Sequence, residues 1–235
     1  MKLNIVQGTH YAYPPADINI VIDVIRAFTV SHIAFMRGAR EIFLVNTVDE
    51  AFALKEINPG FLLAGEVGAL PIQGFDLDNS PHTFSSADIA DKSLVQKTTN
   101  GVKATLLALT AKNAPSVFVT GLTNARKTAR HVKALAASIP DCRINIIASH
   151  PQDDDDLACA EYIQDGLLGR NTVLVKVIQD RIKKARSAQK FFDPEQPAFN
   201  AQDMPFCLRE VDCDFVMQVD GSDLPPRIVK QITRA

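Results

Sequence analysis

The segment Ile18-Asn19-Ile20-Val21-Ile22-Asp23-Val24-Ile25 is apolar at nearly every position and rich in β-branched side chains. A strand with one face in water alternates apolar and polar residues. A run this continuous is expected where both faces are covered, as in a sheet sandwiched between helices. The rest of the chain keeps that rhythm. A helical pattern over residues 27–37 ends at Gly38, which suits a helix stop. Residues 41–45 read as a strand, and Thr47 with Glu50 three positions later reads as a capping box opening a helix to about Ile57. Strands follow at 61–64, 93–96, 116–120, 143–148 and 215–219. Helices are expected at 101–112, 124–137, 156–168 and 172–190. Residues 192–206 carry Pro194, Pro197 and Pro205 without periodicity and read as a surface crossover.

This order predicts an α/β fold, a three-layer α/β/α sandwich with a largely parallel or mixed sheet, built as a single domain over residues 1–235. Hydrophobic residues make up 46% and charged residues 22%, ordinary for a globular enzyme or binding protein. A net charge of −2 gives no electrostatic reason to expect nucleic acid or an anionic membrane as partner. No apolar stretch is long enough for a membrane span, and the N-terminus lacks a signal peptide's core, so a cytoplasmic location is expected. Cys142, Cys159, Cys207 and Cys213 form no C-x-x-C pair and are expected to be reduced. His10, His32, His82, His131 and His150 form no metal-binding couplet, which disfavours a zinc hydrolase.

Function is expected in the polar loops. Gly74-Phe75-Asp76-Leu77-Asp78-Asn79-Ser80-Pro81 packs too many acceptors for a buried strand and reads as an ordered loop. Other polar groups follow strand-like runs, where open α/β sheets bind ligands. They are Asp23 with Arg26, Gly65-Glu66, Thr98-Thr99-Asn100-Gly101, Gly121-Leu122-Thr123-Asn124, and Asp153 to Asp156. Each also has a structural reading. Thr99, Asn100 and Asn124 suit helix caps, and the aspartates suit a helix first turn. As chemistry, Asp23, Glu66, Asp76 and the Asp154/Asp155 pair are hard oxygen donors, fit for Mg²⁺ rather than zinc or copper. Thr98 to Gly101 offers amides and hydroxyls at a helix N-terminus, a seat for phosphate or carboxylate, with Arg26 and Lys97 to neutralise it. The chain lacks G-x-x-x-x-G-K-[ST], G-x-S-x-G, and a G-x-G-x-x-G after its first strand, which leaves a dinucleotide oxidoreductase little support.

These residues together resemble the 2-phosphosulfolactate phosphatase family of Mg²⁺-dependent hydrolases, nearly end to end. The resemblance rests on residues 22–27, Gly65-Glu66, residues 74–81, Thr98 to Gly101, Gly121 to Asn124, and Asp154-Asp155 with the following Leu157-Ala158-Cys159-Ala160. Residues 185–194 and Asp214-Phe215 look like the family's closing region. The resemblance implies hydrolysis of a small phosphorylated hydroxy acid, 2-phosphosulfolactate or a related phosphomonoester. Mg²⁺ would be held by some of Asp23, Glu66, Asp76 and Asp155. Asn79, Ser80, Thr98, Thr99, Asn100, Gly101 and Asn124 would bind the substrate, Arg26 would stabilise transition-state charge, and Asp23 and Asp76 would take part in catalysis. Attack by Asp23 and attack by metal-activated water both stay open. The family often has arginine where this chain has Val67, glycine at Asp78 and threonine at Val102. Its glycine-rich approach to the acidic motif is here Ser149-His150-Pro151-Gln152. Fewer arginines should weaken recognition of a doubly anionic substrate. A non-catalytic sensor of an anionic metabolite is the alternative, and a homo-oligomer is left open.

Overall fold

The computed structural model describes residues 1–9, 12–110 and 116–233. His10 and the last residues of the helix expected at 101–112 lie outside them. In chain order the elements are β1 (Lys2–Gln7), β2 (Ile18–Ile22), α1 (Ala27–Met36), β3 (Glu41–Leu44), α2 (Val48–Ile57), β4 (Leu62–Val67), β5 (Leu70–Pro71), α3 (Pro81–Ser86), β6 (Ser93–Lys97) and α4 (Gly101–Leu109). They continue with β7 (Ser116–Thr120), α5 (Ala125–Ala136), β8 (Arg143–Ala148), α6 (Asp154–Leu167), α7 (Val175–Lys184), α8 (Arg186–Gln189), α9 (Met204–Cys207), β9 (Phe215–Asp220) and β10 (Arg227–Ile232).

All ten of these strands join one mixed sheet in the order β1-β8-β2-β7-β9-β10-β3-β6-β4-β5. As its composition requires, β2 is buried throughout, paired in parallel with β7 and β8. Its side chains serve two cores. Ile18, Ile20 and Ile22 pack with Ala125, Val132, Ala158 and Ile163 of α5 and α6. Val21 packs on the other face with Phe28 and Val30 of α1 and Val102 of α4. That division is the physical content of a three-layer sandwich. Asn19, the polar interruption, is satisfied in place: its amide donates to the Ala108 carbonyl, and its oxygen accepts from Asn145 in the register partner on β8.

Two parallel blocks, β1-β8-β2-β7 and β3-β6-β4, flank the antiparallel pair β9–β10. Because β7–β9, β9–β10 and β10–β3 are all antiparallel, the second block runs opposite to the first. The polar loops after the strands of the two blocks therefore do not share one carboxyl edge of the sheet. The loops of both blocks nevertheless meet. Five pairings separate β2 from β6, and a twist of about 20–25° per pair turns the strand direction by roughly 100° across them. Residues Ala27 to Phe35 of α1 are buried, and the helix shares a core with β3, β6, β7, β9 and β10, so it spans both blocks. A helix apolar all round belongs in such an interior position.

Other departures are local. β1, β5, β10 and α3 were not legible as elements, being short, terminal or alternating. The helix expected over 172–190 breaks at Ala185, whose ψ of 148° is extended. There Asp153 Oδ1 and Oδ2 accept from the amides of Arg186 (3.0 Å) and Ser187 (2.5 Å), so the next turn starts afresh. The 192–206 segment is not a bare surface crossover: a 3-10 turn at Ala201–Asp203 buries Asp203 completely. All four cysteines are free. Among the described residues no helix is long and apolar enough to cross a membrane.

The tightest joint beside the polar loops is Gly65, at φ +144°, where a Cβ would sit 1.9 Å from the Lys97 carbonyl oxygen. Backbone cannot yield as a side-chain tip can. Gly65→Ala is expected to push β4 from β6 and cost more than about 2 kcal/mol, measurable as a lowered urea midpoint. An unchanged midpoint would contradict the packing described.

Candidate active site

Asp23 leaves the end of β2 directly in front of α1, and its Oδ1 accepts from the Ala27 amide at 2.9 Å. Gly101 opens α4 against it, so closely that a Cβ there would lie 2.7 Å from Asp23 Oδ2. Behind Asp23 stands the first turn of α6. Its four consecutive aspartates face four ways, because successive helical positions turn about 100°. Asp153 caps α6 and holds the start of α8. Asp154 makes a two-pronged pair with Arg181. Asp156 reaches back to the Val24 amide (2.7 Å), the His150 amide (3.0 Å) and the Ser149 hydroxyl (2.9 Å). Asp155 is buried, and its Oδ1 has no hydrogen-bond partner among the described residues.

Three carboxylates are thus taken out of water close together, and their proton affinities respond. Burial, aided by the charges of Asp155 and Glu66, pushes Asp23 up to about 7 against the pull of the Ala27 amide. Burial and the charge of Asp153 push Asp155 up to about 6. Asp156 is raised too, by burial first and then by Asp155 and Asp23.

On the facing side, Glu66 at the end of β4 braces the β4–β5 turn against the start of α4. Its Oε1 accepts from the Thr99 amide at 2.5 Å, and its Oε2 accepts from the Ala69 amide and the Thr99 hydroxyl. Arg26 closes a third side. Its Nη1 donates to Asp203 Oδ2 at 2.9 Å, its Nη2 donates to the Ala69 carbonyl at 3.2 Å, and its guanidinium lies 5.0 Å from the Phe191 ring centre.

Between them lies a cavity of about 370 Å³. Of the residues singled out from sequence, Asp23, Arg26, Glu66, Asn79, Thr99, Asn100 and Asp153 line it, whereas Asp155 is buried outside the lining. Among the described residues the buried Asn79 Oδ1 has no partner and Asn100 makes no side-chain cap bond, so both keep polar capacity for a ligand. Sequence reasoning missed the other side of the lining, where Arg186, Ser187 and Lys190 follow the break at Ala185 and His150 and Gln152 precede α6. Burial and the neighbouring Arg26 charge lower the Lys190 ammonium's proton affinity. The signals for these were the resemblance of residues 185–194 to a family's closing region and the place of His150 and Gln152 just before the acidic run.

Other expected residues stand elsewhere. Asp76 is outside the lining; its Oδ2 accepts from the Leu63 amide (2.7 Å) and Lys55 Nζ (2.9 Å), which suits a loop anchor rather than a metal ligand. Ser80 caps α3 and donates to Asp203 Oδ1. Thr98 accepts from the Val102 amide and so takes the capping role open to Thr99 and Asn100. Gly101 supplies close approach to Asp23. Asn124 is buried against Thr120 and Thr128 and borders a different depression, and Lys97 does not line the cavity.

Among the described residues no three His, Cys, Asp or Glu side chains form a ready-made metal set. The residues present still fit Mg²⁺. That ion commonly takes only one or two protein carboxylates, completing its shell with water and substrate phosphate. Asp23 and the unpartnered Asp155 Oδ1 are oxygen donors of this kind, and the mutual repulsion of the buried acids is what a hard cation relieves.

A family model described as 2-phosphosulpholactate phosphatase matches residues 4–222, a span that contains the whole cavity lining. The chain belongs to the 2-phosphosulpholactate phosphatase family. It is 53% identical over 232 residues to a probable 2-phosphosulfolactate phosphatase of Bacillus subtilis (strain 168), covering 99% of this chain and 100% of the relative. It is 30% identical over 234 residues to the probable enzyme of that name from Caldicellulosiruptor saccharolyticus, covering 90% and 95%. A third relative, from Deinococcus radiodurans and of the same name, is 39% identical over 137 residues, 58% of this chain and 55% of its own.

The raised carboxylates predict an unusual pH dependence. Between the ordinary carboxylate range and about 7, the folded state holds protons on Asp23 and Asp155 that the unfolded chain releases. These two acids therefore withdraw stability as pH rises through that window, whereas His32 and His131, whose proton affinities burial lowers, add stability as pH rises towards the ordinary histidine value. Acids with lowered affinity, such as Asp153 and Asp220, have finished titrating below it. In EDTA the melting temperature of the wild type is expected to lose ground against that of Asp23→Asn between pH 5 and pH 7.5, because the histidine contribution is common to both. A difference between the two proteins that stays constant over this range would refute the buried-acid description.

Proposed function

We propose that this protein is a phosphomonoesterase acting on a small phosphorylated hydroxy acid, 2-phosphosulfolactate or a close analogue, with Mg²⁺ as its metal. The observation that carries the reading is the juxtaposition in one small cavity of buried carboxylates with Arg26, Arg186 and Lys190. Its supports are the family membership and the names of the relatives. The size matters as well: about 370 Å³ lies near the low end of small-molecule sites and suits a compact metabolite.

In this reading Asp23 and Asp155 hold the metal, with Glu66 fixing the loop beside them. Bound there, Mg²⁺ supplies positive charge that offsets the repulsion between the acids and an incoming phosphate. Arg26, already desolvated, grips phosphoryl oxygens and stabilises the charge that develops as the ester bond breaks. Asn79 and Asn100 hold the substrate's remaining polar atoms. Arg186 and Lys190, rather than the position of Val67, face its carboxylate or sulfonate. Val67 itself is half-exposed outside the lining. Asp23 is the chain's own candidate nucleophile; with attack by water it remains a ligand. A nucleophilic Asp23 must be ionised, and a Mg²⁺ held beside it would favour that form against the burial that raises its proton affinity.

Phosphate release from a panel of phosphorylated carboxylic and sulfonic acids tests the reading. Release is expected with Mg²⁺ and is expected to vanish in EDTA. Asp23→Asn and Arg26→Ala are each expected to lower kcat by about 10² or more. Asp76→Ala is expected to change kcat by less than about threefold and to lower the melting temperature, since it removes a loop anchor. Turnover indifferent to EDTA would exclude the metal role. Tight binding without turnover across the panel would replace the enzyme by a metabolite sensor.

A further inference from the structure

We propose that Asp203 is a positioning residue that aims the Arg26 guanidinium into the cavity, although it touches no part of the cavity itself. It comes from the segment read in sequence as a surface crossover, yet it is fully buried, at 0% exposure. Its two oxygens are divided. Oδ2 accepts from Arg26 Nη1 at 2.9 Å. Oδ1 accepts from the Ser80 hydroxyl at 2.5 Å and the His82 amide at 3.2 Å. The carboxylate thereby has one orientation, fixed by the start of α3, and it passes that orientation to Arg26.

The other sides of Arg26 are also fixed, by the Ala69 carbonyl and by the Phe191 ring. A guanidinium has five N–H donors in a rigid fork, so spending one on Asp203 and one on Ala69 sets the direction of the others. Arg26 lines the cavity, and Asp203 does not. Anion affinity at the cavity therefore depends on a buried acid outside it. This inference rests on the phosphatase reading for its turnover measurement only; its binding measurement is independent.

The test is a double-mutant cycle with Asp203→Asn, Arg26→Lys and the combination. Two quantities are measured in Mg²⁺: the Kd of inorganic phosphate by calorimetry, and kcat and KM for phosphate release. Asp203→Asn is expected to weaken phosphate binding about tenfold and to lower kcat/KM by about 10², while the same change in the Arg26→Lys background has less than about a threefold effect on either. Two results overturn the inference. One is an Asp203→Asn protein, folded by circular dichroism, that keeps both quantities within about threefold of the wild type. The other is an effect equally large with Arg26→Lys present, which would make Asp203 a fold determinant alone. If Asp203→Asn does not fold, Ser80→Ala carries the cycle: it removes one of the two donors to Asp203 Oδ1, keeps the charge, and is expected to weaken phosphate binding about three- to tenfold. A wild type that binds phosphate but hydrolyses nothing defeats the phosphatase reading and leaves the binding cycle to decide Asp203. A wild type that binds no phosphate defeats the inference.

Discussion

Gathering Asp23, Asp155 and Asp156 out of water at the junction of β2, β8 and α6 is the constraint around which this protein is arranged. Isolated carboxylates cannot be buried at neutral pH without large cost. Here the cost is met partly by backbone amides at Ala27, Val24 and His150, and partly by raised proton affinity. What amides cannot neutralise is net charge. The fold therefore presents buried negative charge beside a cavity that also holds Arg26 and Lys190, a combination suited to a cation and an anion bound together.

The sheet explains how so many groups reach one place. Asp23 and the α6 aspartates belong to one parallel block, whereas Glu66, Thr99 and Asn100 belong to another that runs the opposite way. Twist across the antiparallel β9–β10 pair brings the loops of both around α1. The two glycines at the seam, Gly65 and Gly101, allow backbone and carboxylate to approach where any side chain would collide. The segment from residue 185 to Asp203 then covers the remaining side, delivering Arg186 and Lys190 to the cavity and a buried acid to Arg26.

Much of this was legible. The central strands, the helices that follow them, the Thr47–Glu50 capping box and the free cysteines were all read from periodicity and composition. At the site, Asp23, Arg26, Glu66, Thr99, Asn100 and Asp153 were picked out by position after strand-like runs and Asn79 by the polar density of its loop, and they line one cavity. Asp76 stands outside the cavity, bonded to Lys55 and the Leu63 amide, and in sequence a loop carboxylate so placed looks like one facing a ligand. Asn124 stands outside it as well, beside buried threonines that no local pattern announces.

The chain alone determined which segments must be buried and which must not, because side-chain hydrophobicity and its period are properties of the covalent sequence. Continuous β-branched runs had to become covered strands, and dense polar clusters had to become loops. Only the tertiary structure decided what each polar group does. Asp153 to Asp156 are identical in chemistry and adjacent in sequence, yet they cap a helix, pair with Arg181, face the buried cluster and hold the loop after β2. Helical rotation and the neighbours it meets assign those roles. Asp203 acquired its role in the same way, since a carboxylate's partner is chosen by the folding of residues far away in the chain.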